Sequence, residues 1–123
     1  MTFAYWCVLA AALLPYVAVF PAKARKDFDN REPRAWLAQQ SGWRARAHAA
    51  QLNSFEAFPL FAVAVLVAHH LHAPQPRVDL LAVGFVAARV GYIVTYVANW
   101  HLLRSLIWTV GIACAIAIFL AGR

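Results

Sequence analysis

The sequence predicts an all-α integral membrane protein, a bundle of four membrane-spanning helices. Of its 123 residues, 63% are hydrophobic and only 13% charged, with a mean hydropathy of +0.60. A soluble domain carries about 45–50% apolar and about 25% charged residues. Four separate stretches approach the ~20 residues that cross a ~30 Å hydrocarbon core. None of them alternates with period two, and Ala and Leu abound, so helices are favoured over a barrel. The same composition excludes a disordered chain. It also excludes a disulfide scaffold, because Cys7 and Cys114 both lie inside apolar runs. On such a chain a formal charge of +6 speaks of membrane orientation and anionic lipid, not of nucleic acid.

The first span covers residues 2–21 and carries no charge. Ala22-Lys23-Ala24 imitates a signal-peptide cleavage site. The positive charge follows the apolar run instead of preceding it, however, so the segment reads as a span. The second span, 44–72, is apolar from Phe55 to Ala68 and is extended backwards by helix formers through Gln51, His48 and Arg44. The third, 78–98, is apolar except for Asp79 and Arg89, and the fourth, 102–121, is uncharged from Ser105 onward to Ala121. Turn signals, Ala73-Pro74-Gln75-Pro76 and Asn99-Trp100-His101, separate the last three. Connections this short make neighbouring helices antiparallel. Residues 1–123 thus form a single four-span domain. The long connection from Ala22 to Trp43, with the adjoining helix start, holds Lys23, Arg25, Lys26, Arg31, Arg34, Arg44 and Arg46 against Asp27, Asp29 and Glu32. The positive-inside rule places it in the cytoplasm and both termini outside. Tyr5, Trp6, Trp43 and Trp100 at span ends fit interfacial anchors.

Ionisable groups inside spans are costly, so each needs a reason. Arg46 and Asn53 share a stripe of the second span, with Glu56 three residues further on an adjacent part of that face. Arg89, Tyr92 and Tyr96 form a stripe on the third. Arg104, Ser105 and Trp108 open the fourth. The second and fourth spans start, and the third ends, at the side of the basic connection. All three polar stripes therefore fall in one leaflet. Arg46, Arg89 and Arg104 there face a single carboxylate, Glu56, and the surplus charge suits a ligand with two or more negative groups. A second reading stands beside it: Glu56 and Arg89 form a buried ion pair that fixes packing, while Arg46 and Arg104 touch lipid phosphate. His69, His70 and His72 lack a carboxylate or thiolate partner for a metal.

The run Arg46-Ala-His-Ala-Ala-Gln-Leu-Asn53-Ser-Phe-Glu56-Ala-Phe-Pro59 resembles the second-helix signature of the MAPEG family, membrane-associated proteins in eicosanoid and glutathione metabolism. Ala88-Arg89-Val90-Gly91-Tyr92-Ile93-Val94-Thr95-Tyr96 followed by Arg104-Ser105 is similar to the third-to-fourth helix region of the microsomal prostaglandin E synthase branch. The basic connection with Asp29-Asn30-Arg31-Glu32-Pro33-Arg34 looks like the bacterial members. The resemblance implies a homotrimer in a bacterial inner membrane, with glutathione as cosubstrate between protomers at the cytoplasmic side. It also implies a lipophilic second substrate entering from the bilayer and a transferase-like or peroxidase-like reaction. On the matching positions, Asn53, Glu56, Arg89 and Tyr96, with Arg46, would bind glutathione, and Arg104 or Ser105 would stabilise its thiolate. The chain departs from the pattern at Leu52, where members often carry arginine, at Tyr92, where the synthase branch has histidine, and at Trp108, where eukaryotic relatives have Tyr or Arg. A catalytically silent member of the family, or a small four-span transporter, is the alternative function.

Overall fold

A computed structural model describes all of residues 1–123. It contains helices and no strands: α1 (Phe3–Val19), continued by a 3-10 turn Phe20–Lys23, then α2 (Pro33–Ala38), α3 (Gly42–His70), α4 (Gln75–Val97) and α5 (His101–Leu120). Four of them are long and apolar enough to cross a membrane: α1 with its 3-10 turn, α3, α4 and α5. The chain is an integral, multi-pass membrane protein, and the spans lie close to where hydropathy places them. Helices α1 and α3 run uninterrupted through Pro15 and Pro59.

The short helix α2 is a feature the sequence reading did not separate from the basic connection. Pro33 occupies its first turn, where a missing N–H costs nothing. Trp36 and Leu37 bury against Val19 at the end of α1, and Phe28 meets the Trp36 ring edge-on at 5.0 Å. The connection is thus folded back onto the bundle. Arg25 pairs with Asp27 at 3.1 Å and Arg31 with Asp29 at 3.1 Å. The hydrogen bonds from Arg31 hold the Asp29 carboxyl below the ordinary carboxylate range.

Helices α3 and α4 form the middle of the bundle. α1 packs on both from one side and α5 packs on both from the other. At the centre Phe61 of α3 stacks on Phe85 of α4 with ring centres 4.0 Å apart. Small residues line the α4–α5 seam. Gly84 faces Cys114, Ala88 faces Gly111 and Gly91 faces Ile107. In lipid there is little hydrophobic drive between helices, so close backbone approach and dispersion hold such a seam together. Cys7 is buried and Cys114 half-buried, both as free thiols.

Both short turns close in the same way. At the end of α3 the His72 N–H donates to His69 O and the Ala73 N–H to Ala68 O. At the end of α4 the Asn99 N–H donates to Tyr96 O and the Trp100 N–H to Thr95 O. These are Schellman motifs, with His72 (φ 54°) and Asn99 (φ 64°) at the left-handed position usually given to glycine.

The end of the bundle away from the basic connection is tied by polar side chains. Asp79 Oδ1 accepts from the Ala4 N–H at 2.9 Å and from Gln75 Nε2 at 2.7 Å. A carboxylate there complements the positive N-terminus of α1. His69 Nδ1 donates to Val65 O at 2.8 Å, which leaves Nε2 to accept from the Thr2 hydroxyl at 2.7 Å. Tyr5 stacks on the same imidazole at 4.1 Å.

Candidate functional site

At the opposite end, beside the start of α5, lies a polar groove of about 460 Å³. Asn53 of α3 forms one edge, Tyr92 and Tyr96 of α4 the floor, and Arg104, Ser105, Trp108 and Thr109 of α5 the other wall. These residues converge because α3 and α5 both begin, and α4 ends, at this side of the bundle. Arg104 is in the first turn of α5, and its guanidinium lies over the Tyr96 ring, 4.4 Å from the centre. No carboxylate pairs with it, since the two ion pairs of the molecule are those in the connection. The Ser105 hydroxyl donates to His101 O at 3.1 Å and that of Thr109 to Ser105 O at 3.0 Å. Such back-bonds to the preceding turn leave the oxygen lone pairs free and are easily exchanged for another acceptor.

Asn53 is held from behind. Arg89, only 3% exposed, donates from Nη2 to Asn53 Oδ1 at 2.8 Å and to Ser54 Oγ at 3.3 Å. Its guanidinium also rests on the Tyr92 ring at 4.2 Å. Ser54 in turn donates to Ala50 O at 2.8 Å. With its oxygen engaged by Arg89, Asn53 has its amide NH₂ left to donate. Arg89 is therefore a buried cation carried by neutral oxygens and an aromatic face, and it acts on the groove through Asn53.

The other expected residues do not line the groove. Glu56 is exposed on α3 and forms no ion pair with Arg89. Arg46 donates from Nε to Val97 O at 3.1 Å, so its charge meets the negative C-terminal end of α4. Asn53, Tyr96, Arg104 and Ser105 are thus brought together, with Arg89 one layer behind, while Glu56 and Arg46 stand apart. Two polar contributors escaped the sequence reading. Thr109 follows Ser105 by four residues and so shares its stripe, a signal that was available. Ser54 adjoins Asn53, and nothing local distinguishes it from a packing serine.

Fold and groove together define a class: a four-span α-helical membrane protein with a cationic groove toward one end of the bundle. Comparison with protein families makes the assignment specific. The family model for the MAPEG family matches residues 3–122, nearly the whole chain, and the chain belongs to that family. No match was found among curated proteins or among solved structures.

Proposed function

We propose that the protein is a glutathione-dependent membrane enzyme of transferase or peroxidase type, acting on a lipophilic substrate, and that the groove is one wall of its glutathione site. The observation that carries this reading is the unpaired Arg104 guanidinium beside the Ser105 hydroxyl and the Asn53 amide. These are three kinds of donor, with no carboxylate among the groove's lining residues. Glutathione offers carboxylates and a thiol, and the groove volume of about 460 Å³ lies in the usual range of roughly 300–1,000 Å³ for small-molecule sites. Arg104 and Ser105 would favour the thiolate, because a nearby cation or hydrogen-bond donor stabilises charged sulfur and lowers the thiol pKa. Arg89 is a positioning residue that keeps the Asn53 amide turned outward. Glu56, a carboxylate exposed along a span, needs a polar partner in the bilayer. A neighbouring protomer supplies one if the protein is a homotrimer with the groove closed between subunits. The surplus of basic residues in the connection supports a cytoplasmic location for this end.

Trp108 favours a second reading, a family member that binds glutathione without turnover, because it sets a bulky apolar ring in the wall beside Arg104. Binding calorimetry on the folded protein in mild detergent tests the shared premise, and turnover of a general electrophile such as chlorodinitrobenzene separates the two readings. No heat of binding at millimolar glutathione would sink both.

A further inference from the structure

A second groove lies on the α1 side of the bundle, away from α5. Its volume is about 520 Å³, and it runs between Leu14, Val17 and Pro21 of the first span and Val90, Val94 and Val97 of α4. Alanines form its floor, Trp43 stands at its mouth, and no side chain in it carries a charge or a hydroxyl. We propose that it seats one anionic glycerophospholipid of the bilayer, with an acyl chain in the groove and the headgroup phosphate at Arg44 and Arg46.

The charges at the mouth decide the occupant. The Arg44 guanidinium lies over the Trp43 ring at 4.4 Å, and its Nε is buried without a hydrogen-bond partner. Arg46 is anchored through Nε on the carbonyl of Val97, a groove residue, which leaves its terminal nitrogens free to donate. Neither arginine has a carboxylate partner, and Asp27 and Asp29 of the connection are held by Arg25 and Arg31. Both arginines belong to the start of α3, Arg46 against the end of α4 and Arg44 on the Trp43 ring at the groove mouth, the level where a span meets headgroups. Basic pockets between spans at that level take anionic lipid heads. A water-soluble anion has nothing to hold its remainder in an all-apolar groove, whereas a lipid fills both halves of the site. A second copy of this chain fits less well. In a ring of copies about an axis along the membrane normal, every residue keeps its depth. The exposed acid on α3, Glu56, is ten residues beyond Arg46, about 15 Å deeper at 1.5 Å per residue. It cannot reach the mouth, and the one acid of the connection outside both ion pairs, Glu32, is what a second copy would have to bring there, a case the oligomeric state below separates.

The test is native mass spectrometry of the full chain in an uncharged detergent, titrated with dioleoyl-phosphatidylglycerol or dioleoyl-phosphatidylcholine. Phosphatidylglycerol should be retained at least about fivefold more tightly, and Arg44→Gln should remove about that factor, the worth of one basic residue near a membrane surface. Val94→Trp, which fills the groove from a lipid-facing position, should weaken both lipids. Val17→Trp does the same from the α1 wall and serves if the first variant does not fold. Equal retention of the two lipids, or an Arg44→Gln protein whose preference for phosphatidylglycerol is undiminished, overturns the proposal. A filled groove that changes the oligomeric state instead of lipid retention also overturns it, and would make the groove a subunit contact.

Discussion

At Arg89 a buried guanidinium is met by an amide oxygen, a hydroxyl and a tyrosine ring. Removing the cation and removing its partner therefore have different consequences. Arg89→Ala leaves Asn53 Oδ1 without its donor, about 1–3 kcal/mol, and frees the Asn53 amide to turn. Glutathione binding should weaken together with stability. Asn53→Ala removes one neutral acceptor from the buried charge, which keeps Ser54 and the Tyr92 ring, and should cost about 1.5–3 kcal/mol. Asn53→Asp supplies the missing carboxylate. Its thermal midpoint should match or exceed wild type, while its added negative charge at the groove edge lowers glutathione affinity. Arg104→Ala should leave the midpoint nearly unchanged, because Arg104 is half-exposed and caps nothing, and should weaken glutathione binding about tenfold or more. Thermal unfolding and calorimetry on the same four variants check the set. The stripe that Arg89 shares with Tyr92 was legible in the sequence. Its partner was not. Asn53 and Glu56 are three residues apart, so about 60° separates them around the helix, and that angle decides which one faces α4. Opposite charge suggests Glu56, but the packing of α3 on α4 selects Asn53.

Among the elements, the four spans were legible because each is a long apolar run, and their ends because Pro74, Pro76 and Asn99 mark turns. Helix α2 was not. Six residues are too few to show a period or to hold a helix alone, and this one is stabilised by Trp36 and Leu37 packing on Val19, a contact that exists only once the connection folds back. The turns give a prediction. His72 pays the left-handed penalty of a residue with a Cβ at its position, so His72→Gly should stabilise the protein by up to about 1 kcal/mol, read as a higher thermal midpoint. Asn99→Gly should change little, because asparagine already tolerates that region. The α4–α5 seam gives another. A Cβ at Gly91 meets only ordinary contact, 3.5 Å from the Ile107 side chain. Gly91→Ala should therefore be neutral or stabilising by about 0.5–1 kcal/mol, whereas Gly91→Leu should force α5 off α4 and lower the midpoint sharply.

For the whole molecule, the proposed assembly and orientation are separately testable. Native mass spectrometry in mild detergent should give a trimer, and a preparation holding only monomers or dimers would remove the subunit-interface site. A cysteine placed at Ala38, exposed on α2, should resist an impermeant maleimide added to intact cells and react once the membrane is opened. Labelling from outside would reverse the orientation. The far end of the bundle was the least legible part, because its bonds join residues remote in sequence. Thr2 and His69 are 67 positions apart, and Ala4 and Asp79 are 75 apart.

That separation also sets a timetable for biogenesis. At roughly 5–20 residues per second of synthesis, Asp79 is made about 4–15 s after the Ala4 amide it will accept from. Through that interval the Ala4 amide is without the carboxylate that accepts from it in the finished bundle. The span translated first can pack on the second, through Thr2 and Tyr5 on His69, before the third is made, but its Ala4 amide gains Asp79 only once the third has begun to insert.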